Sequence, residues 1–396
     1  MVKDAPGQSR TMNMKDEFPR GAASIAGLAT YGVGEMPGFS SLDLAATAGL
    51  MALQDADARI QDVDALFGCL PDDLFGTLSM AEYYGISPRF TDNNRTGGSS
   101  FISHMITASI MIDAGYIDNA LITYGSNQRS SGGKLATPAK SNKWEARYDP
   151  IFPLSSYALV AARHMHEFGT RREDLAAVAV AARQWANTNP EAFAKGPLSI
   201  EDCLKSRMIS SPLTKADCCL VTDGAAAIYL TSTRRASDLP KPPVPILGAA
   251  AATWHNSISA MPDLTATAAR ESGARAMAIA GVTPQQMDTV QLYDAFTINT
   301  LIFLEDLGFC EKGEGGAFVS EGHIAPGGSM PVNTNGGGLS YCHPGMYGLF
   351  AIVEAARQLR GEAANQQPDV DLCLAHANGG TFSSQATAIL GSLSTI

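Results

Sequence analysis

Apolar positions along this chain change their period several times, and each change marks an element. Ala22–Tyr31 (AASIAGLATY) is small and β-compatible, and Ser41–Asp57 repeats apolar residues at helical spacing. Ser40 or Ser41 is placed to cap that helix. Val63–Cys69 is a short apolar run of the kind a buried strand shows. Gly97-Gly98 then open a helix over Ser99–Ala114, with Ser99 and Ser100 in capping position, and Ala120–Tyr124 returns to strand. Strand, helix, strand, helix, strand predicts an α/β layer on a parallel sheet.

The same order comes back later. Pro245–Ala252 reads as strand, Leu264–Ala280 as helix, Thr289–Tyr293 as strand, Gly348–Arg360 as helix and Leu372–Ala375 as strand. The text even rhymes, Gln61-Asp62-Val63-Asp64-Ala65 against Gln285-Gln286-Met287-Asp288-Thr289. Two duplicated α/β halves are expected, 21–245 and 246–396, behind a polar tail over 1–20. Residues 126–216 break the pattern: they are rich in Ser, Asn, Pro and Arg, with helices over Leu154–Phe168 and Arg172–Ala186. Long irregular stretches inside compact enzymes are usually functional, so this is expected to be an inserted loop domain. Val221–Ser232 closes the first half as a strand, and the Pro-rich Leu239–Pro245 links it to the second.

Composition narrows the function. A net charge of -11 over 396 residues argues against nucleic acid or an anionic membrane surface as main partner. No apolar run reaches transmembrane length, and the polar Met1–Arg20 lacks the apolar core of a secretory signal, so a cytoplasmic protein is expected. The seven cysteines are scattered, with no pairing at zinc spacing, and read as free thiols of a reducing compartment. His164 and His166 stand two apart on a predicted helix and point in different directions. No metal site is expected.

Candidate chemistry concentrates in Asn335-Gly336-Gly337-Gly338-Leu339-Ser340-Tyr341-Cys342-His343-Pro344-Gly345. A tyrosine, a thiol and an imidazole follow a glycine loop that feeds the start of a helix. Unpaired N–H groups there favour developing negative charge, which suits chemistry on a carbonyl.

With that loop, Asp223-Gly224-Ala225-Ala226-Ala227 and Asn378-Gly379-Gly380, the chain resembles the thiolase superfamily, and within it the sterol-carrier-protein-X-type thiolases. The likeness runs from about Gly21 onward. It implies a thiolase fold with a five-layered α-β-α-β-α core, a homodimer-like pairing and an acyl-coenzyme A thioester as substrate, with no covalently bound cofactor. Thiolases need two cysteines. Counting back from Gly115, the nucleophile's position falls on Gly98, and the second cysteine's position falls on Ala377. Where thiolases carry Asn-Glu-Ala-Phe or His-Asp-Cys-Phe, this chain reads Tyr293-Asp294-Ala295-Phe296. Only His343 of the family's catalytic side chains is retained.

Without an acyl-enzyme nucleophile, retro-aldol cleavage of a β-hydroxyacyl-CoA is easier to support than acyl transfer. A base takes the β-hydroxyl proton, the Cα–Cβ bond breaks, and the thioester enolate is held by donors until an acid reprotonates Cα. The chain is similar to thiolase-like aldolases of steroid side-chain degradation. That likeness makes Tyr293 and Tyr341 the acid/base candidates, in either order, and His343 the oxyanion donor. The imidazole and helix start would lower a tyrosine pKa while burial opposes them. Asp294 either orients a base or bonds backbone, Asn378 and Gly379 support the oxyanion site, and His376 packs between strands. The resemblance also implies a small partner with an OB-fold and a zinc ribbon. Two other readings stay open: an inactive acyl-CoA or lipid-binding subunit, and an acyltransferase with an unusual nucleophile such as Cys342.

Overall fold

The computed structural model describes residues 18–132 and 142–396. Most of the expected tail and a small part of 126–216 lie outside them. β1 (Ala23–Gly34) leads to α1 (Ser41–Asp55), β2 (Ala65–Cys69), α2 (Gly76–Tyr84), β3 (Phe90–Asp92), α3 (Ser100–Asp113) and β4 (Asn119–Ser126). There follow α4 (Leu154–Phe168), α5 (Arg172–Thr188), α6 (Ile200–Lys205), β5 (Met208–Ser210), β6 (Leu213–Thr214), β7 (Asp223–Ser232) and α7 (Thr233–Ala236). The second half holds β8 (Val244–Thr253), α8 (Ala269–Ala280), β9 (Thr289–Leu292), α9 (Thr297–Asp306) and α10 (Gly315–Ser320). It ends with α11 (Gly348–Arg360), β10 (Leu372–Gly379) and β11 (Ser384–Gly391).

The large sheet runs β3-β2-β4-β7-β1-β8-β11-β10-β9. Its two halves share one pattern of senses. β2 is parallel to β4, while β4–β7 and β7–β1 are antiparallel. Likewise β9 is parallel to β10, while β10–β11 and β11–β8 are antiparallel. The expected parallel sheet is therefore mixed, because β7 and β11 each return against the preceding strand. The seam between the halves is slight, formed by Ser24↔Pro245 and Ile25↔Val244.

Helices α3 and α11 touch strands of both half-sheets and form the middle layer, with α1 and α2 outside one half and α8 outside the other. This gives the five layers. β2, β4, β7 and β11 are buried almost throughout, as sheets covered on both faces must be. The Ser40 hydroxyl accepts the Asp43 N–H at 3.1 Å and caps α1 as the sequence predicts. Helix α8 begins at Ala269, not Leu264. Asp263 takes the Thr265 N–H at 2.8 Å and Asp306 takes that of Thr267 at 2.6 Å, so side chains hold this stretch out of the helix.

Candidate active site

Tyr293 stands one residue beyond β9, its N–H bonded to the His376 carbonyl at 3.0 Å. Its hydroxyl lies 3.1 Å from the Gly345 carbonyl and 3.1 Å from His343 Nε2. A phenol has one hydrogen to give. With the Gly345 carbonyl accepting it, His343 Nε2–H is the donor to the Tyr293 oxygen. The His343 backbone is fixed by Thr222, whose hydroxyl accepts its N–H at 3.0 Å and whose N–H reaches its carbonyl at 3.3 Å.

Burial decides the protonation states. It pushes His343 down to about 4, so the imidazole is neutral near pH 7. It raises Tyr293 well above the ordinary phenol value, and the nearby Cys219 adds to the effect. The expected lowering of a tyrosine pKa by its neighbours is outweighed.

Gly98 explains how Tyr293 fits. A methyl placed on Gly98 would sit 2.1 Å from Tyr293 Cε2, 2.5 Å from Cδ2 and 2.8 Å from the Asn378 carbonyl oxygen. The aromatic ring fills the space a side chain at 98 would take. Ala377 points into the same packed region, its Cβ 2.9 Å from where a Cβ on Gly348 would stand. Both positions assigned to missing thiols therefore border the Tyr293 neighbourhood. Gly379 closes the floor, since a Cβ there would lie 1.9 Å from the Thr96 carbonyl oxygen. Ser99 has no capping bond; its hydroxyl meets those of Thr96 (3.0 Å) and Ser384 (3.0 Å).

The glycine loop folds as a π-helical turn over Gly337–Tyr341 and is held from two sides. Asp294 accepts the Gly338 N–H at 2.6 Å and the Leu339 N–H at 3.3 Å. Of the two expected roles it takes the backbone-bonding one. Burial raises its carboxyl to about 7, the N–H donors only partly offsetting this. From the other side, the Phe193 and Ala194 N–H groups bond the Tyr341 and Ser340 carbonyls at 3.0 Å each.

Tyr341 does not join the Tyr293–His343 pair. Its hydroxyl donates to Glu191 Oε2 at 2.8 Å, an oxygen that also receives Arg357 Nη1 at 3.2 Å. Tyr347 comes near instead. Its ring lies edge-on to Tyr293 at 5.9 Å between centroids, and its hydroxyl donates to Asn335 Oδ1 at 2.9 Å. Burial raises its pKa too. The sequence carried the signal, a tyrosine in the same His-Pro-Gly-Met-Tyr-Gly run, two residues past the stretch considered.

The Asn378 side chain points away from the pair. Its amide donates to the Tyr157 hydroxyl at 2.9 Å and accepts from Gln385 at 2.8 Å. Strand alternation explains this, because Ala377 already takes the inward face. His376 sits between strands as expected, bonded to Thr387 at 2.9 Å and Gln385 at 3.0 Å. Cys342 is buried with its thiol pKa raised well above normal, unlike an activated nucleophile. Among the described residues, no group of three or more His, Cys, Asp or Glu side chains could hold a metal ion, and no helix is long and apolar enough to cross a membrane.

Helix α4 brings Tyr157 against this strand end, its hydroxyl also reaching the Gly380 carbonyl at 3.1 Å. Behind this helix opens a cavity of about 600 Å³, lined by Tyr148, Ile151, Leu159, Ala162, Ser211 and Ile258 among others.

Two duplicated half-sheets around paired central helices, with Tyr293 at the end of a strand beside His343 and a glycine loop, define a thiolase-type centre without its thiols. A family profile, Thiolase C-terminal domain-like, matches residues 250–392. A 17-hydroxy-3-oxo-4-pregnene-20-carboxyl-CoA lyase of Mycobacterium tuberculosis is 35% identical over 91% of this chain and 97% of its own length. An acetyl-CoA acetyltransferase of Methanothermobacter thermautotrophicus is 32% identical over 92% of this chain and 98% of its own. Among solved structures, the Ltp2-ChsH2(DUF35) aldolase superposes with a TM-score of 0.86 at 32% identity, over 94% of this chain and 98% of that one. The chain belongs to the thiolase superfamily.

Proposed function

We propose that the chain is a CoA-dependent carbon–carbon lyase. It cleaves a β-hydroxyacyl-CoA by a retro-aldol reaction to an acyl-CoA and a ketone or aldehyde, without an acyl-enzyme. Identity alone does not choose between lyase and acetyltransferase. One observation carries the choice: the Tyr293 ring, hydrogen-bonded to His343, occupies the space a nucleophilic side chain at Gly98 would need.

Retro-aldol cleavage moves one proton from the β-oxygen to Cα. A neutral Tyr293 can take that proton while giving its own to Cα, with no change in its charge. The raised pKa is then no obstacle, because no phenolate has to exist beforehand. His343 Nε2–H turns from the Tyr293 oxygen to the thioester oxygen as charge develops there, a donor contribution of roughly 3 kcal/mol. Tyr347 is the second hydroxyl of the site. Tyr341, Asp294 and Gly379 shape the loops that carry these groups, and α5, from the inserted stretch, packs against the Gly337–Tyr341 turn. Asn378 contributes through its backbone and not its amide.

The lyase relative supports a steroid-derived substrate. The name of the aldolase neighbour pairs two components, which supports a small partner of the OB-fold/zinc-ribbon kind, alongside a homodimeric core. The purified chain, with and without such a partner, is to be incubated with β-hydroxyacyl-CoAs and β-ketoacyl-CoAs. Release of a ketone or aldehyde from the first class is expected. Thiolysis of the second class would select the acyltransferase, and binding without turnover the inactive subunit.

A further inference from the structure

The contact between Gly98 and Tyr293 reaches beyond the absence of a thiol. We propose that Gly98 is a specificity-determining residue, whose missing side chain admits the Tyr293 ring so that any side chain at 98 and a tyrosine at 293 exclude each other. Its bearing on reaction class rests on the lyase reading above; its steric part does not.

Three observations converge. The clash of a Cβ at 98 falls on ring atoms Cε2 and Cδ2, at 2.1 and 2.5 Å, not on the free end of a flexible chain. The ring has nowhere to swing. Its hydroxyl is tied at Gly345 and His343, and its faces and edges meet His343 (centroids 5.5 Å) and Tyr347 (5.9 Å). Gly98 itself cannot retreat, because its carbonyl oxygen lies 2.1 Å from where a Cβ on Gly348 would stand, at the start of α11. Position 98 thus belongs to the first half and position 293 to the second, and each is shaped to the other. Restoring a cysteine at 98 alone would not restore acyl transfer. It would expel the tyrosine and leave neither chemistry.

A double-mutant cycle tests this. Gly98→Ala, Tyr293→Ala and the double variant are made in the full chain, and thermal midpoints are measured without substrate. In the wild-type background, Gly98→Ala is expected to lower the midpoint by about 3 °C or more through overpacking. In the Tyr293→Ala background the same substitution should lower it by less than half as much. Equal losses in both backgrounds would overturn the proposal, since the obstacle would then be the Asn378 carbonyl. If Gly98→Ala is insoluble only when Tyr293 is present, the proposal stands; insolubility in both backgrounds overturns it. Turnover of a β-hydroxyacyl-CoA is followed separately: failure of the wild type to cleave it would count against the lyase reading and leave the coupling intact.

Discussion

Asp294 is a buried carboxyl whose removal should stabilise the protein while disturbing its site. Its pKa stands at about 7 against an ordinary 3.8, chiefly through burial. A carboxyl held above its unfolded value binds its proton more tightly in the folded chain. Stability from this group is therefore complete below about pH 4 and is lost as pH rises through about 7. The whole difference corresponds to about 4 kcal/mol, of which about 2–3 kcal/mol falls between pH 5 and pH 7. Cys219, Cys342, Tyr347 and Tyr293 face the same region with raised values, and His343 titrates near 4, so none of them ionises between pH 5 and 7. Asp294→Asn keeps the shape and one acceptor for the Gly338 N–H but removes the charge. Its new amide faces the weaker Leu339 donor, a loss of about 1 kcal/mol. Urea unfolding of both proteins at pH 5, 6, 7 and 8 measures the balance. The Asn variant should gain on wild type by about 2 kcal/mol from pH 5 to 7, and cleavage should fall as the loop loses its anchor. If the two stability curves run parallel within about 0.5 kcal/mol, burial of Asp294 is not what sets its ionisation.

Other substitutions separate chemistry from support. Tyr293→Phe removes the shuttle hydroxyl and should lower kcat about 10²–10⁴-fold, with little change in substrate binding measured by calorimetry. Tyr341→Phe leaves the aromatic ring and takes only the bond to Glu191; kcat should fall less than about tenfold, while thermal stability drops by about 1 kcal/mol. His343→Ala should lower kcat about 10²–10³-fold. Because His343 is already neutral above about pH 4, kcat of the Asp294→Asn variant should show no imidazole-like inflection between pH 5 and 8.

Much of the fold was legible because its elements alternate and carry their own punctuation. Helices α4 and α11 begin and end where the pattern places them, and the Gly97-Gly98 start of α3 was visible from its glycines. Helix α9 gave no helical period because its polar residues gather at its two ends around the apolar run Leu301–Leu304, and all ten of its residues are buried. The Tyr293–His343 pair was legible as motif residues, but their contact was not. The resemblance pointed to Tyr341 and passed over Tyr347, yet the π-helical turn over Gly337–Tyr341 leaves the Tyr341 hydroxyl on Glu191. Asn378 was readable with parity alone: once Ala377 faces inward along β10, its neighbour faces out.

The repeated sense of the two half-sheets places two glycine-rich approaches at the middle layer. Each half supplies a glycine-rich approach to one central helix, Gly97-Gly98 before α3 and the Gly336–Gly338 loop before α11. Here they have divided the labour. One leads into His343, and the other has been reduced to a void that receives Tyr293 from the end of β9.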